Sequence, residues 1–501
     1  MTPRSYIGVS PLRSEDDGLV RGAHPYVADL RIPGCLEACF VRSFEAHGEL
    51  QEVDVSGSLR LKGVVAAFSA AELPDLPPVP TREPAPAEMQ RPSLARDRVR
   101  FAGEPVAVVI ARDRYTAEDG AERVIQTFDS LDAVIGVDAA LSSTAPSLFA
   151  GSDNVVSTRD YGASVEDVMA NAAVVVEGRF YNQRLAPTSI EPRAVLAQWD
   201  RDRLTVWASH QAPHRLRGEL AAAFGLGLDE VRVRVPKVGG AFGAKSQTFA
   251  EYIVVANVAR KLDRPVRWIE DRREALQSAT HGRGQSQTLR LAADDRGMLL
   301  ALEAFIDADV GAYPDTGALV PAMTAWVLSG PYRIERLYAR IRCVVTNAAP
   351  TASYRGAGRP EAAFALERLV DKLARKLHSI PSSCARQTSS LPPIFPTGLP
   401  REPSTTRATM PLHCVRRSSS QATKGLGRSS AGDARRATAP FSESASPAIW
   451  SDQGVAPARA STGRSKSWPM ASSSRDRAQL PKGRDMKPPL LRSSPRRSTS
   501  S

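Results

Sequence analysis

At about Ser379 the sequence changes character, and only the part before it can build a hydrophobic core. Upstream, apolar residues recur with strand and helix periods; downstream no period survives. Residues 381–501 hold 25 Ser and 15 Pro, with 20 Lys+Arg against 6 Asp+Glu. A segment of that composition cannot bury enough apolar surface to offset the entropy lost on ordering, so residues 380–501 are expected to be a disordered basic tail. Removing its charges from the chain's 66 Lys+Arg and 54 Asp+Glu leaves 46 and 48, so the body is nearly neutral. The formal charge of +12 therefore belongs to the tail. The length of 501 residues allows two to four domains.

Several function classes drop out at this level. The five cysteines, Cys35, Cys39, Cys343, Cys384 and Cys414, are odd in number and form no CxxC pair. That argues against a disulfide framework or a zinc ribbon and suits a reducing cytoplasm. Cys35 and Cys39 stand four apart without a second ligand pair, so ordinary packing is the plainer reading. No apolar run opens the chain as a secretory signal would, and no stretch of about 18 apolar residues suggests a membrane span. The tail's Arg/Ser character would give salt-sensitive, sequence-blind attraction to DNA. Its aromatics are few, Phe395, Phe441, Trp450 and Trp468, so no specific nucleic-acid role is expected.

The body alternates strand and helix signals, an α+β pattern. Strands are expected at 34–43, 63–70 and 101–111, with a Pro-rich loop at 73–88 and a helix running into a strand over 115–128. Further on, 172–185 reads as a strand and 193–209 as a hairpin turning at Asp200–Asp202. A helix over 212–226 ends at Gly225, and VRVRVPKV (231–238) is a strand. EAAFALERLVDKLARKL (361–377) places Ala362, Leu366, Leu369, Val370, Leu373 and Leu377 on one helical face.

Three motifs could carry chemistry. In VRVRVPKVGGAFGAKS a strand runs into Gly239–Ser246, where glycines let a backbone approach a ligand closely. A P-loop needs glycine directly before its lysine; Ala244 stands there, which leaves a ligand-free tight turn as the competing reading. SHQAPHRLR (209–217) puts Gln211, a donor and acceptor, at the start of a helix. His210 and His214 are one helical turn apart, but a zinc HExxH motif would need glutamate where Gln211 stands. SYRGAGRPE (353–361) sets Arg355 and Arg359 beside glycines at a helix start, suited to an anion or simply to solvation.

Taken in order, these stretches resemble the large, molybdopterin-binding subunit of the xanthine dehydrogenase/aldehyde oxidase family. The likeness begins with IGVSPLRSEDDGLVRG at Ile7 and continues through YVADLRIPG, FVRSFEAHGEL and VRFAGEPVAVVIARDRYTAEDGAE. It then takes in DNVV, NQRLAPTSIEPRAVLAQWD, SHQAPH, GGAFGAK and TASYRGAGRPEAAFALERLVDKLARKL. It spans roughly residues 5–379 and is most like the carbon monoxide dehydrogenase large-chain group. The resemblance implies an a/b hammerhead domain over 1–135, a first molybdopterin-binding domain over 136–379, and then the tail. It implies that Gln211 hydrogen-bonds an oxo ligand of molybdenum, and that Phe242 sits beside the metal with Gly240, Ala241 and Gly243 near the pterin. Arg355 would contact the cofactor. No protein metal ligands are implied. It further implies a cytoplasmic oxidoreductase that hydroxylates an aldehyde or N-heterocycle with water as oxygen source. The pterin is expected with its nucleotide left open, cytosine dinucleotide included. Partners would be an FAD-binding medium subunit and a 2Fe–2S small subunit.

Departures narrow this expectation. Gly356 stands where carbon monoxide dehydrogenases carry cysteine, and Ser246 where purine-oxidising relatives carry glutamate. The family's general-base glutamate lies in a GxGE segment that these 501 residues lack. The chain is therefore expected to be inactive as written, the alternative being a non-catalytic remnant or assembly partner with a basic tail. Read two nucleotides out of frame from Ser379, with codons chosen to suit, the tail opens as DPVELRAANFI, close to the family's own continuation. A frameshift or sequencing error near residues 374–379 is the expected origin of the tail.

Overall fold

In the computed structural model, which describes residues 10–81 and 86–379, the apolar run at 101–111 becomes the strand Pro105–Ala111, buried at every position. It lies antiparallel between Leu36–Arg42 and Val64–Ser69. Val108 and Ile110 face one core and Val106, Ala107 and Val109 another. A strand covered on both faces has no reason to alternate with polar residues. The disordered tail expected from residue 380, and the middle of the Pro-rich loop, lie outside the described residues.

These three strands continue into a seven-stranded sheet ordered Val231–Arg234, Arg203–Ala208, Ala194–Asp200, Val266–Ile269, Leu36–Arg42, Pro105–Ala111 and Val64–Ser69. The seam is the parallel pairing of Leu36 with Val266. Strands from before residue 135 and after residue 190 thus share one sheet. The expected hairpin forms, with Arg203 opposite Asp200 and Arg201 at φ +54° in its turn. The expected strand at 231–238 stops at Arg234, close to Pro236, which cannot donate to a ladder.

Against this sheet packs Ala250–Leu262, a helix buried almost all round, from Tyr252 to Ala259. Its Ile253–Val255 triplet has strand propensity, and burial overrides it. The second sheet has five strands, ordered Val155–Gly162, Arg336–Val345, Leu299–Gly311, Gln285–Ala293 and Val174–Asn182. The strand expected at 172–185 pairs here, with Gln285–Ala293, and not with the hairpin. Helix Arg359–Lys376 lies on this sheet, burying Ala362, Leu366, Leu369, Val370 and Leu373, with Leu377 half-buried at its end. Each fully buried leucine contributes about 1.5–3 kcal/mol. A small third sheet joins Arg98–Val99, Gly48–Asp54 and Ile125–Ser130. Among the described residues no helix is long and apolar enough to cross a membrane.

The sheet order places the motifs. Arg203–Ala208 and Val231–Arg234 run parallel, with Trp207 opposite Arg234. Both chains therefore leave the sheet at the same end, and the Gln211 turn and the Gly239–Ser246 turn emerge side by side.

Candidate functional site

Gln211 follows the strand Arg203–Ala208 and precedes the helix Pro213–Phe224, whose C-cap Gly225 takes the left-handed conformation expected of it. The Gln211 backbone N–H donates to the Lys245 carbonyl at 2.8 Å, and its Oε1 accepts from the Gly243 N–H at 2.9 Å. With the amide oxygen engaged by the neighbouring loop, the NH2 end of the exposed side chain is left as a donor.

The Gly-rich turn is held by its own geometry. Gly240 and Gly243 have φ of +97° and +95°. A Cβ on Gly243 would lie 2.8 Å from the Ser353 carbonyl oxygen, so only glycine lets the two loops touch. Between them Phe242 adopts φ +53°, rare for an aromatic residue, and the residue is 43% exposed. Ala241 beside it is buried. The Phe242 carbonyl accepts the Arg355 N–H at 2.9 Å. The Arg355 side chain is exposed and its guanidinium has no hydrogen-bond or ion-pair partner among the described residues. The segments carrying Gln211, Phe242–Gly243 and Arg355 are thus brought to one surface, with Gly240 and Ala241 in the turn between.

Other sequence candidates fall elsewhere. Lys245 is buried; its Nζ donates to the Glu191 carbonyl at 2.7 Å, Glu191 Oε2 at 3.0 Å and Ser209 Oγ at 2.7 Å. Burial lowers its pKa against the pull of Glu191. A P-loop lysine must face its phosphate, and this one is turned inward, so the turn is no phosphate cradle of that type. His210 is buried, with Nε2 bonded to the Gln247 carbonyl at 2.9 Å and Nδ1 accepting from Ala212 N–H at 3.0 Å. His214 is exposed on the helix, so the two do not converge. Among the described residues no group of three or more His, Cys, Asp or Glu comes together as a metal site would require. Cys35 and Cys39 lie at and within the strand Leu36–Arg42, half-buried.

Two supports were not legible in the sequence. Glu191 Oε2 accepts from Lys245, Ser209 Oγ and Gly239 N–H, the last two both at 2.7 Å, and so ties the strand end to the Gly-rich turn. Arg193, which is buried, pairs with Glu270 at 2.5 Å and Glu251 at 3.1 Å. Neither charge pairing leaves a periodic or motif-like signal.

The arrangement offers a side-chain amide donor, an unpaired guanidinium, an exposed ring and turned backbone on one surface. Such donors suit an anionic, oxygen-bearing group. Residues 149–387 match the model of the molybdopterin cofactor-binding domain, and residues 21–132 that of the aldehyde oxidase and xanthine dehydrogenase a/b hammerhead domain. The chain is 33% identical to the nicotine 6-hydroxylase large subunit of Paenarthrobacter nicotinovorans, over 77% of this chain and 48% of that one. It is also 33% identical to the carbon monoxide dehydrogenase large chain of Hydrogenophaga pseudoflava, over 73% of this chain and 48% of that one. The solved structure of quinoline 2-oxidoreductase from Pseudomonas putida 86 superposes with a TM-score of 0.72 at 34% identity, covering 77% of this chain and 50% of that chain. The chain spans about half the length of these relatives. With a hammerhead domain followed by a molybdopterin-binding domain, the chain belongs to the xanthine dehydrogenase/aldehyde oxidase family.

Proposed function

We propose that this chain forms one wall of a molybdopterin centre in an oxidoreductase that hydroxylates an aldehyde or N-heterocycle with water as oxygen source. The observation that carries the reading is the convergence of Gln211, Phe242–Gly243 and Arg355 on one surface, three segments far apart in sequence. When bound, molybdopterin would supply a redox-active metal through its own ligands. The residues of this chain have the complementary work. Gln211, oriented by the Gly243 N–H, donates its amide to an oxygen on the group. Gly240, Ala241 and Gly243 let the backbone approach the pterin, and the Phe242 ring covers one side and excludes water. Arg355 binds an anionic oxygen. The nucleotide carried by the pterin, cytosine dinucleotide being one form, belongs to this proposal, as do an FAD-binding medium subunit and a 2Fe–2S small subunit as electron acceptors.

Gly356 and Ser246, where copper-binding and purine-binding relatives differ, favour the aldehyde and N-heterocycle class. The part of this chain in the reading is to hold the cofactor. The test is to incubate the purified full chain with molybdenum-loaded molybdopterin, remove free cofactor by gel filtration, and measure pterin and molybdenum per protein. Retention by wild type, lost by about tenfold in Gln211→Ala and Arg355→Ala, is expected. Equal retention by the variants, or none by wild type, would sink the reading.

A further inference from the structure

Arg355 sits on an exposed loop, yet its peptide group is held on both sides. From one side the Phe242 carbonyl takes its N–H at 2.9 Å. From the other, Arg283 grips the loop: its Nη2 donates to the Arg355 carbonyl at 2.7 Å and its Nη1 to the Tyr354 carbonyl at 3.2 Å. The same guanidinium lies 5.0 Å over the Tyr354 ring and pairs with Glu361 Oε1 at 3.2 Å. Its side chain is only 10% exposed, and that of Glu361 is fully buried.

The backbone around Arg283 is shaped for this reach. Arg283 adopts φ +67°, followed by Gly284 at +77°, a left-handed pair that costs an arginine about 1 kcal/mol or more. On its other side Gly282 lies against Tyr354 so closely that any Cβ would collide with that side chain. Ala357 in the gripped loop is likewise left-handed, at φ +38°. Strained backbone on both partners persists because the contacts between them determine it. Four contacts of the guanidinium fall on Tyr354, Arg355 and Glu361.

We propose that Arg283 is the positioning residue of the site: with Glu361 holding it, it fixes the Tyr354–Arg355 peptide so that the Arg355 guanidinium leaves the loop beside Phe242. The assignment of Arg355 to an anionic oxygen of the cofactor rests on the function proposed above; the grip on the loop does not. Arg283 is not itself exposed to the ligand and acts through Arg355.

The test uses the full chain and two readouts. Hydrogen–deuterium exchange at the Arg355 amide, bonded to Phe242, reports the grip without any cofactor. Binding of molybdopterin, followed by its fluorescence, reports the consequence. Arg283→Met is made in a Glu361→Gln background, so that no buried carboxylate is left unpaired. Arg283→Gly, in the same Glu361→Gln background, is the second variant; it relieves the left-handed strain while removing the guanidinium. Both are expected to speed Arg355 exchange by about tenfold or more and to weaken pterin binding by about tenfold. In an Arg355→Ala background the same changes should cost no further pterin affinity, the signature of an effect exerted through Arg355. Unchanged Arg355 exchange would overturn the proposal, and so would an equal loss of affinity in both backgrounds. If wild type binds no pterin, the cofactor reading fails and the exchange measurement decides the grip alone.

Discussion

Replacing Glu251 by glutamine should cost the fold about 3 kcal/mol, and the cost should fade in acid. The Glu251 side chain is 0% exposed and accepts from Arg42 Nη2 at 2.9 Å and from Arg193 at 3.1 and 3.3 Å. Burial pushes its pKa up, but Arg193 and Arg42 outweigh it and bring the carboxyl from its ordinary 4.5 down to about 2. A depression of that size corresponds to about 3 kcal/mol at pH 7. The cost of breaking a buried pair by removing one partner, about 3–5 kcal/mol, agrees. Glutamine keeps the shape but loses the charge and turns an NH2 toward the guanidinium groups. Because the folded pKa is depressed, the stabilisation is complete above the unfolded value and is lost as pH falls through the folded one. By pH 3 less than about half of it remains. Urea unfolding of wild type and Glu251→Gln at pH 7 and pH 3, with slopes compared, measures both numbers. A difference under about 1 kcal/mol at pH 7, or one that fails to shrink by pH 3, would refute the reasoning.

Gly243→Ala should lower stability by about 1–3 kcal/mol, because its Cβ would press on the Ser353 carbonyl at φ +95°. Thermal unfolding measures this, and a wild-type melting temperature would show that the two loops do not touch as described. Burial, reinforced by Glu37, pushes the Cys35 thiol up to about 11; burial and Glu274 push Cys39 up to about 12. Native protein at pH 8 should therefore resist iodoacetamide at both positions, as read by peptide mass, while urea-unfolded protein reacts rapidly. Fast native alkylation at either position would contradict their packing.

The elements most legible in the sequence are those whose period or cap is local. The face of helix Arg359–Lys376, the Gly225 cap and the Asp200–Arg203 hairpin follow from spacing and turn chemistry within about 18 residues. The helix Ala250–Leu262 is hard to read from the sequence, since burial on nearly every side leaves no clear polar face opposite an apolar one. The sharing of one sheet by Leu36–Arg42 and Val266–Ile269 is a pairing across some 230 residues, and no local rule specifies a partner at that distance.

The site divides along the same line. The turns that carry Gln211, Gly240, Ala241, Phe242, Gly243 and Arg355 stand out because glycine turns and strand-to-helix junctions mark places where backbone can meet a ligand; the choice of these individual residues comes from the family resemblance. Which of the basic residues faces outward was not nameable. Lys245, on motif spacing the more conspicuous cation, is spent on Glu191 and Ser209. Arg283, inconspicuous between two glycines, holds the loop that carries Arg355. A lysine's or arginine's role is set by the carboxylate or carbonyl that reaches it first in space. In this chain those partners, Glu191 and the Arg355 carbonyl, lie 54 and 72 residues away.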